Sequence, residues 1–273
     1  MFGVKQILGG DWLGLWQAFQ APLIGAAVAL VLVLLGRWLR STSLLVAAGG
    51  AGVTTGWLLL TGSVTASLTA GPRDLPNRLA LIAFAALVLT VLTAWRAPQR
   101  GRFLCLLLLA LGAAWWLAGG PRTQADLMQV AFLAAALVIW HALVARHLSR
   151  APPGRLVLAA WTLTFALWVV QAPPLWLLLA LVPASVSLVL LIAPVSEFML
   201  LSPAIDLAAV MAASMLATGR LPHGGISALD LAILAPLLAI FLVGRLRFAA
   251  ILATPLAMAI AVAVAWLARL WLG

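Results

Sequence analysis

Long apolar runs follow one another along almost the whole chain, with only short polar stretches between them. Each run is close to the roughly 20 residues that a helix needs to span a bilayer. About a quarter of the residues of a soluble domain are charged, whereas here 8% are charged and 66% are apolar. The sequence therefore predicts an integral membrane protein, not a soluble one.

The predicted fold is all-α: a polytopic transmembrane bundle of about ten spanning helices with short loops. Helices of this number occupy about 200 residues, so the rest of the 273-residue chain leaves no room for a separate soluble domain. We predict a single integral membrane domain, with 1–18 as an interfacial N-terminal segment and 19–268 as the bundle. The predicted spans are 19–36, 43–62, 79–95, 103–118, 127–145, 156–171, 174–193, 203–218, 229–244 and 248–268.

The start of the chain predicts a short helix in the membrane interface, because Trp12, Leu15, Trp16 and Phe19 recur at helical spacing. It holds one lysine, and no small-residue cleavage site follows its apolar run. We therefore expect 19–36 to be a retained first helix and not a signal peptide.

The net charge of +10 comes mainly from arginines in the short loops. The excess of arginine in cytoplasmic loops of membrane proteins and the attraction of arginine to anionic lipid headgroups explain this charge better than nucleic-acid binding does. We therefore expect no nucleic-acid partner. The loops at 37–42, 96–102, 146–155 and 245–247 hold ten of the 16 cations and are predicted to be cytoplasmic. This orientation places both termini outside a bacterial-type inner (plasma) membrane.

Tryptophans near the predicted helix ends are typical of an aromatic belt. Those assigned to this belt are Trp38, Trp95 and Trp140 at the inner side, and Trp115, Trp116, Trp176, Trp266 and Trp271 at the outer side.

Three of the six acidic residues have positions that fit helix caps. Asp11 fits an N-cap, and Asp126 and Asp230 each follow a hydroxyl residue in a capping-box pattern.

Glu197 and Asp206 lie in a different setting, the connection 193–206 between a span that contains Pro183 and the short span 203–218. That short span covers only about 24 Å, less than the hydrocarbon core of about 30 Å. A short pair of membrane segments that is interrupted by proline and carries carboxylates predicts an ion or substrate site. The alternative is an ordinary turn in the membrane interface.

His141, beside Trp140, is a further candidate, for a quinone headgroup or a proton relay; a local structural role is the alternative. The three histidines do not pair at one depth for haem ligation, and the single Cys105 excludes intrachain disulfides and cysteine metal motifs. We expect no metal and no cofactor, although a bound lipid or quinone is compatible with the sequence.

Small residues recur every four positions in several predicted spans, among them 43–62 and 248–268, as is typical of closely packed membrane helices. They predict helix packing or a partner interface. The residues are Gly52 and Gly56 in one span, and Ala249, Ala253, Ala257, Ala261 and Ala265 in the last.

Three functions are compatible with these features. The first is a non-catalytic subunit of a larger energy-transducing or export complex, contributing to an ion, proton or quinone path. The second is a stand-alone secondary transporter of small solutes or ions, favoured by the connection at 193–206 and by basic turns that recur about every 50 residues. The third is an intramembrane lipid-acting enzyme. Expected partners are membrane lipids and other integral membrane subunits.

Overall fold

The computed structural model describes the chain in several ranges. They are residues 12–61, 75–96, 99–118, 127–128, 130–131, 134–135, 137–139, 154–170, 172, 174–192, 234–239, 241–242 and 250–272. Within these ranges the protein is helical apart from short turns, and no strand occurs. The predicted all-α class is confirmed for the described part of the chain.

Seven helices have both ends within the described residues, and we number them in chain order. They are α1 (Trp12–Trp38), α2 (Thr42–Thr61), α3 (Leu75–Arg96), α4 (Gln99–Ala118), α5 (Gly154–Val169), α6 (Pro174–Leu190) and α7 (Ala250–Leu272). Residues described within 127–139 and 234–242 are also helical. Each of these helical stretches overlaps a predicted span, whereas the predicted span 203–218 lies outside the described residues.

Helix α1 is longer than predicted. It runs without a break from Trp12 to Trp38 and contains Pro22, so the segment 12–18 continues directly into the predicted first span. A proline inside a helix removes one backbone hydrogen bond, yet here the residues on both sides of Pro22 remain helical.

Two helical segments are long and apolar enough to cross a bilayer, Phe19–Trp38 and Thr42–Thr61. Shorter apolar helical stretches lie at Arg78–Leu92, Leu107–Leu117, Leu156–Val169, Pro174–Leu190 and Leu256–Trp271. A membrane-compatible pair of N-terminal helices is therefore present.

Helices α1, α2 and α6 all pack against one another and form the centre of the described structure. On one side α3 packs on α2, and α4 packs on α3; on the other side α5 packs on α6, and α7 packs on α5. The main hydrophobic cluster extends across this arrangement and includes Trp57 of α2 with Leu179 and Val182 of α6.

Helices α1 and α7 have apolar outward faces. In α1 the exposed positions Leu23, Val31 and Leu34 lie on one side of the helix, and α7 exposes Leu256, Ile260 and Val264 in the same way. Buried positions lie on the opposite side of each helix. The chain thus has large apolar side chains both inside and on its surface.

Candidate functional site

The backbones of α1 and α2 approach each other closely at Gly25 and Gly52. A Cβ on Gly25 would lie 2.7 Å from the carbonyl oxygen of Gly52, and a Cβ on Gly52 would lie 2.6 Å from the carbonyl oxygen of Gly25. Such distances are shorter than real Cβ contacts, so each position requires glycine in this packing. This close approach is how small residues bring membrane helices together.

The third helix of the centre packs against the same glycine face. A Cβ on Gly56 would lie 2.6 Å from Cγ1 of Val182, and a Cβ on Gly52 would lie 3.0 Å from Cγ2 of Val186. Val182 and Val186 belong to α6 and are one helical turn apart, as are the two glycines. Gly52 and Gly56 therefore lie in an internal packing surface shared by α1, α2 and α6.

A hydrogen bond from Trp57 also joins α2 and α6. Its indole N–H donates to the carbonyl oxygen of Leu179 at 2.9 Å, and the bond is buried. In a regular helix this carbonyl accepts from the N–H four residues later, but that residue is Pro183, which has no N–H. The indole of Trp57 thus supplies the donor that the proline removes.

Most described hydroxyls of the interior bond to carbonyls of their own helix. Thr90 donates to Ala86, Thr164 to Ala160, and Ser187 to Ala184, at 2.6, 2.9 and 2.6 Å. Such bonds satisfy the hydroxyl without a partner helix. By contrast, the buried oxygens of Thr54 and Thr162 have no hydrogen-bond partner.

Three arginines donate hydrogen bonds to carbonyls at or just beyond the C-terminal ends of neighbouring helices. The Nη1 atom of Arg78 lies 2.6 Å from the carbonyl oxygen of Trp116, that of Arg269 lies 2.9 Å from Val169, and that of Arg37 lies 3.2 Å from Ile192. The last carbonyls of a helix lack helical donors and carry the negative end of its dipole. Each arginine therefore acts as a C-terminal cap in trans.

Arg78 is the most buried of these caps, with 4% of its surface exposed. Its Nη1 also reaches the carbonyl of Leu117 at 3.3 Å, and its guanidinium lies 5.6 Å from the ring centre of Trp116. Hydrogen bonding and a cation–π contact both offset part of the cost of removing the charge from water. Arg78 thus joins the start of α3 to the end of α4.

These caps define the relative direction of the helices. Arg269 lies in the last turn of α7 and Val169 ends α5, so these two packed helices are parallel. Arg37 lies in the last turn of α1 and Ile192 follows the end of α6, so α1 and α6 are also parallel. Both relations agree with the alternation of the predicted spans.

The predicted site residues Glu197, Asp206 and His141 lie outside the described residues, as do the predicted capping acids Asp11, Asp126 and Asp230. Among the residues that the structure describes, no three of the types His, Cys, Asp and Glu form a group that could hold a metal ion.

The alanine stripe is described in part. Ala257, Ala261 and Ala265 are completely buried, and the last two cluster with Leu158 and Ala166 of α5. Ala249 and the side chain of Ala253 lie outside the described part. The described end of the stripe thus packs inside this chain, and the opposite face of α7 is exposed.

The tryptophans of the predicted belt divide into two groups. Trp38, Trp115, Trp266 and Trp271 are exposed, as a belt requires. Trp176 is buried in the main cluster, and Trp116 packs partly against it. The side chains of Trp95 and Trp140 lie outside the described part of the structure.

Sequence reasoning did not find the caps or the Trp57 bond. The only local signals are Pro183, which identifies a carbonyl without its helical donor, and an arginine directly before the predicted span 79–95. Neither signal identifies the hydrogen-bond partner. Trp57 and Leu179, for example, are 122 residues apart in the sequence.

No family model, no curated protein and no solved structure matches this chain.

Proposed function

We propose that the protein is a multi-pass membrane protein of about ten spanning helices that serves as a non-catalytic subunit of a larger energy-transducing or export complex. In this proposal it resides in a bacterial-type inner membrane with both termini outside. One observation carries the proposal: the hydrogen bonds that Trp57, Arg78 and Arg269 donate between described helices serve helix packing and helix capping.

The exposed faces support a lipid environment. Leu23, Val31 and Leu34 of α1, and Leu256, Ile260 and Val264 of α7, would form large apolar patches in water. Soluble monomers rarely expose such patches, whereas acyl chains contact them without cost. The exposed charges Arg37 and Arg40 lie where α1 ends and not along its length, as expected for groups that reach the headgroups.

A packing subunit is favoured by how the described polar groups are used. Trp57, Arg78 and Arg269 each donate to a backbone carbonyl of another helix, and Thr90, Thr164 and Ser187 donate within their own helix. Groups committed to backbone carbonyls stabilise one arrangement of helices. Such rigidity suits a scaffold more than a protein that must alternate between two conformations.

A stand-alone secondary transporter is the second candidate. Pro183 interrupts the hydrogen bonding of α6 in the centre of the described structure, and broken helices are a feature of transporter sites. In this alternative Glu197 and Asp206 provide an ion or substrate site near the cytoplasmic face.

Purification from membranes distinguishes the two candidates. The protein is retained in the membrane pellet after alkaline carbonate washing and is then extracted in a mild detergent, and its mass and co-purifying proteins are measured. A fixed set of other integral membrane proteins is the expected result. A monomer or homodimer that catalyses solute or ion flux in proteoliposomes would contradict the subunit proposal and favour the transporter.

Carboxylate variants test whether the protein contributes to an ion path. We expect Glu197→Gln to impair the ion- or proton-linked activity of the purified assembly or of proteoliposomes while assembly is retained. Wild-type activity in both Glu197→Gln and Asp206→Asn would reject an ion site at 193–206 and leave the connection as an ordinary turn.

A further inference from the structure

Helix α1 ends in a Schellman motif with an arginine at the left-handed position. The N–H of Ser41 donates to the carbonyl of Gly36 at 2.9 Å, and the N–H of Arg40 donates to that of Arg37 at 3.3 Å. Arg40 has a φ of 51°, and it is the one residue other than glycine with positive φ among those described. Glycine, and sometimes asparagine, is the usual residue at this position.

An arginine at this position is strained in a way that glycine is not, because its Cβ approaches the backbone in the left-handed conformation. The positive charge near the helix C-terminus recovers part of that cost. Arg37, in the last turn of the same helix, already supplies a cation. A second, strained arginine is therefore explained better by a use for its guanidinium than by capping alone.

The surroundings of Arg40 indicate that use. Its side chain is exposed and makes no hydrogen bond within the described part of the chain, and neighbouring Trp38 is 78% exposed. Arg37 is also exposed and donates to the carbonyl of Ile192 through Nη1. Two exposed arginines and an exposed tryptophan thus lie within four consecutive residues, where α1 leaves its hydrophobic stretch Phe19–Trp38.

We propose that Arg37, Trp38 and Arg40 form an interfacial site for the phosphate of an anionic phospholipid. This inference rests on the proposed membrane location. A guanidinium can donate two parallel hydrogen bonds to phosphate oxygens, and an indole is favoured at headgroup depth beside the acyl chains. The carbonyl oxygens at the ends of α1 and α6 repel an anion, but the positive charges of the two arginines outweigh this repulsion.

The test uses the full-length protein in a neutral detergent, titrated with phosphatidylglycerol or with phosphatidylcholine. The readout is the lipid concentration that gives half of the rise in the thermal unfolding midpoint. We expect wild type to respond to phosphatidylglycerol at a lower concentration than to phosphatidylcholine. In Arg40→Asn this concentration should rise about fivefold for phosphatidylglycerol, the effect of one cation near an anionic surface.

Three controls separate a site from general attraction. Asparagine tolerates the left-handed conformation, so Arg40→Asn should fold as wild type. Arg150→Asn makes the same change in net charge in another loop predicted to be cytoplasmic and should leave the titration nearly unchanged. Arg40→Lys should show an intermediate loss, since lysine keeps the charge but not the bidentate geometry.

Several outcomes would overturn the proposal. Equal losses in Arg40→Asn and Arg150→Asn would mean that only net charge matters. Equal responses of wild type to both lipids, or an equal stabilisation by inorganic phosphate, would remove the phospholipid assignment. Carbonate washing of wild type and Arg40→Asn tests the underlying proposal separately. Loss of the wild-type protein from the membrane pellet rejects the membrane location. Retention of both proteins, with the same response to phosphatidylglycerol, rejects only the site.

Discussion

The indole N–H of Trp57 donates a buried 2.9 Å hydrogen bond to the carbonyl oxygen of Leu179. Because Pro183 stands four residues after Leu179, this carbonyl has no donor within its own helix. An unsatisfied buried carbonyl is costly, and more so where no water can reach it. The side chain of α2 therefore makes a proline tolerable in the centre of α6, and it fixes the rotation of the two helices against each other.

The first prediction is that the cost of losing this indole depends on Pro183. Trp57→Phe should lower the free energy of unfolding by about 1–3 kcal/mol, because Leu179 is left without a donor. In a Pro183→Ala background the N–H of residue 183 can donate to Leu179, so the same substitution should cost about 1 kcal/mol less. Reversible unfolding of the purified protein in mixed micelles measures all four members of this cycle.

Trp161→Phe is the matched control for that cycle. The buried indole nitrogen of Trp161 has no hydrogen-bond partner, so its removal leaves no acceptor unsatisfied. We expect a smaller loss of stability there than at Trp57. Equal losses at the two positions, or strict additivity of Trp57→Phe and Pro183→Ala, would contradict the role given to the hydrogen bond.

The second prediction concerns the glycines between α1 and α2. Gly25→Ala or Gly52→Ala places a methyl group 2.6–2.7 Å from a backbone oxygen of the opposite helix, so the helices must separate. Each change should lower the free energy of unfolding by about 1–3 kcal/mol. Thermal unfolding in detergent measures the effect.

Gly112→Ala in α4 is the control for the glycine series, since nothing lies within 4 Å of the added Cβ. Alanine has the higher helix propensity, so this variant should gain up to about 1 kcal/mol. A gain at Gly25 or Gly52 as well would show that the two helices do not approach as closely as described.

The positions of the helices could be predicted from the sequence, whereas the contacts between them could not. Apolar runs located the described helices to within a few residues, as at α2, predicted at 43–62 and found at Thr42–Thr61. Hydropathy reports which segments avoid water, and this is a local property. It predicted a boundary between the segment 12–18 and the first span that the structure does not contain, because α1 runs without a break from Trp12 to Trp38 with Pro22 inside it.

The contacts of the arginines could not be predicted from the local sequence. Their distribution predicted a side of the membrane for each, whereas in the structure three of them also cap other helices. Their partners are 38 to 155 residues away in sequence, and no spacing rule links them. The candidate carboxylates Glu197 and Asp206 remain predictions, since they lie outside the described residues.

The third prediction concerns the most buried cap. Arg78→Leu removes the donor to Trp116 and Leu117 and should lower the free energy of unfolding by about 1.5–3 kcal/mol, as for hydrogen bonds of charged groups. Arg78→Lys keeps a point charge without the planar fork and should lose less. Arg40→Asn, at an exposed arginine, should remain within about 0.5 kcal/mol of wild type. A loss as large at Arg40 as at Arg78 would contradict this assignment.

The fourth prediction tests the arrangement and the orientation together, with single cysteines introduced in a Cys105→Ala background. Because α1 and α6 are parallel, cysteines at Ser41 and Ile192 should react with an impermeant maleimide from one and the same side. Cysteines at Ala172 and Trp271 should react from the other side, because α5 and α7 end there together. The arginine distribution predicts that the first pair, together with Gln99, is cytoplasmic and is not labelled in intact cells.

Two results would contradict different parts of this prediction. Labelling of Ser41 and Ile192 from opposite sides would contradict the parallel packing of α1 and α6. Ready labelling of Ser41, Gln99 and Ile192 from outside would show the opposite orientation in the membrane, with the packing of the helices unchanged.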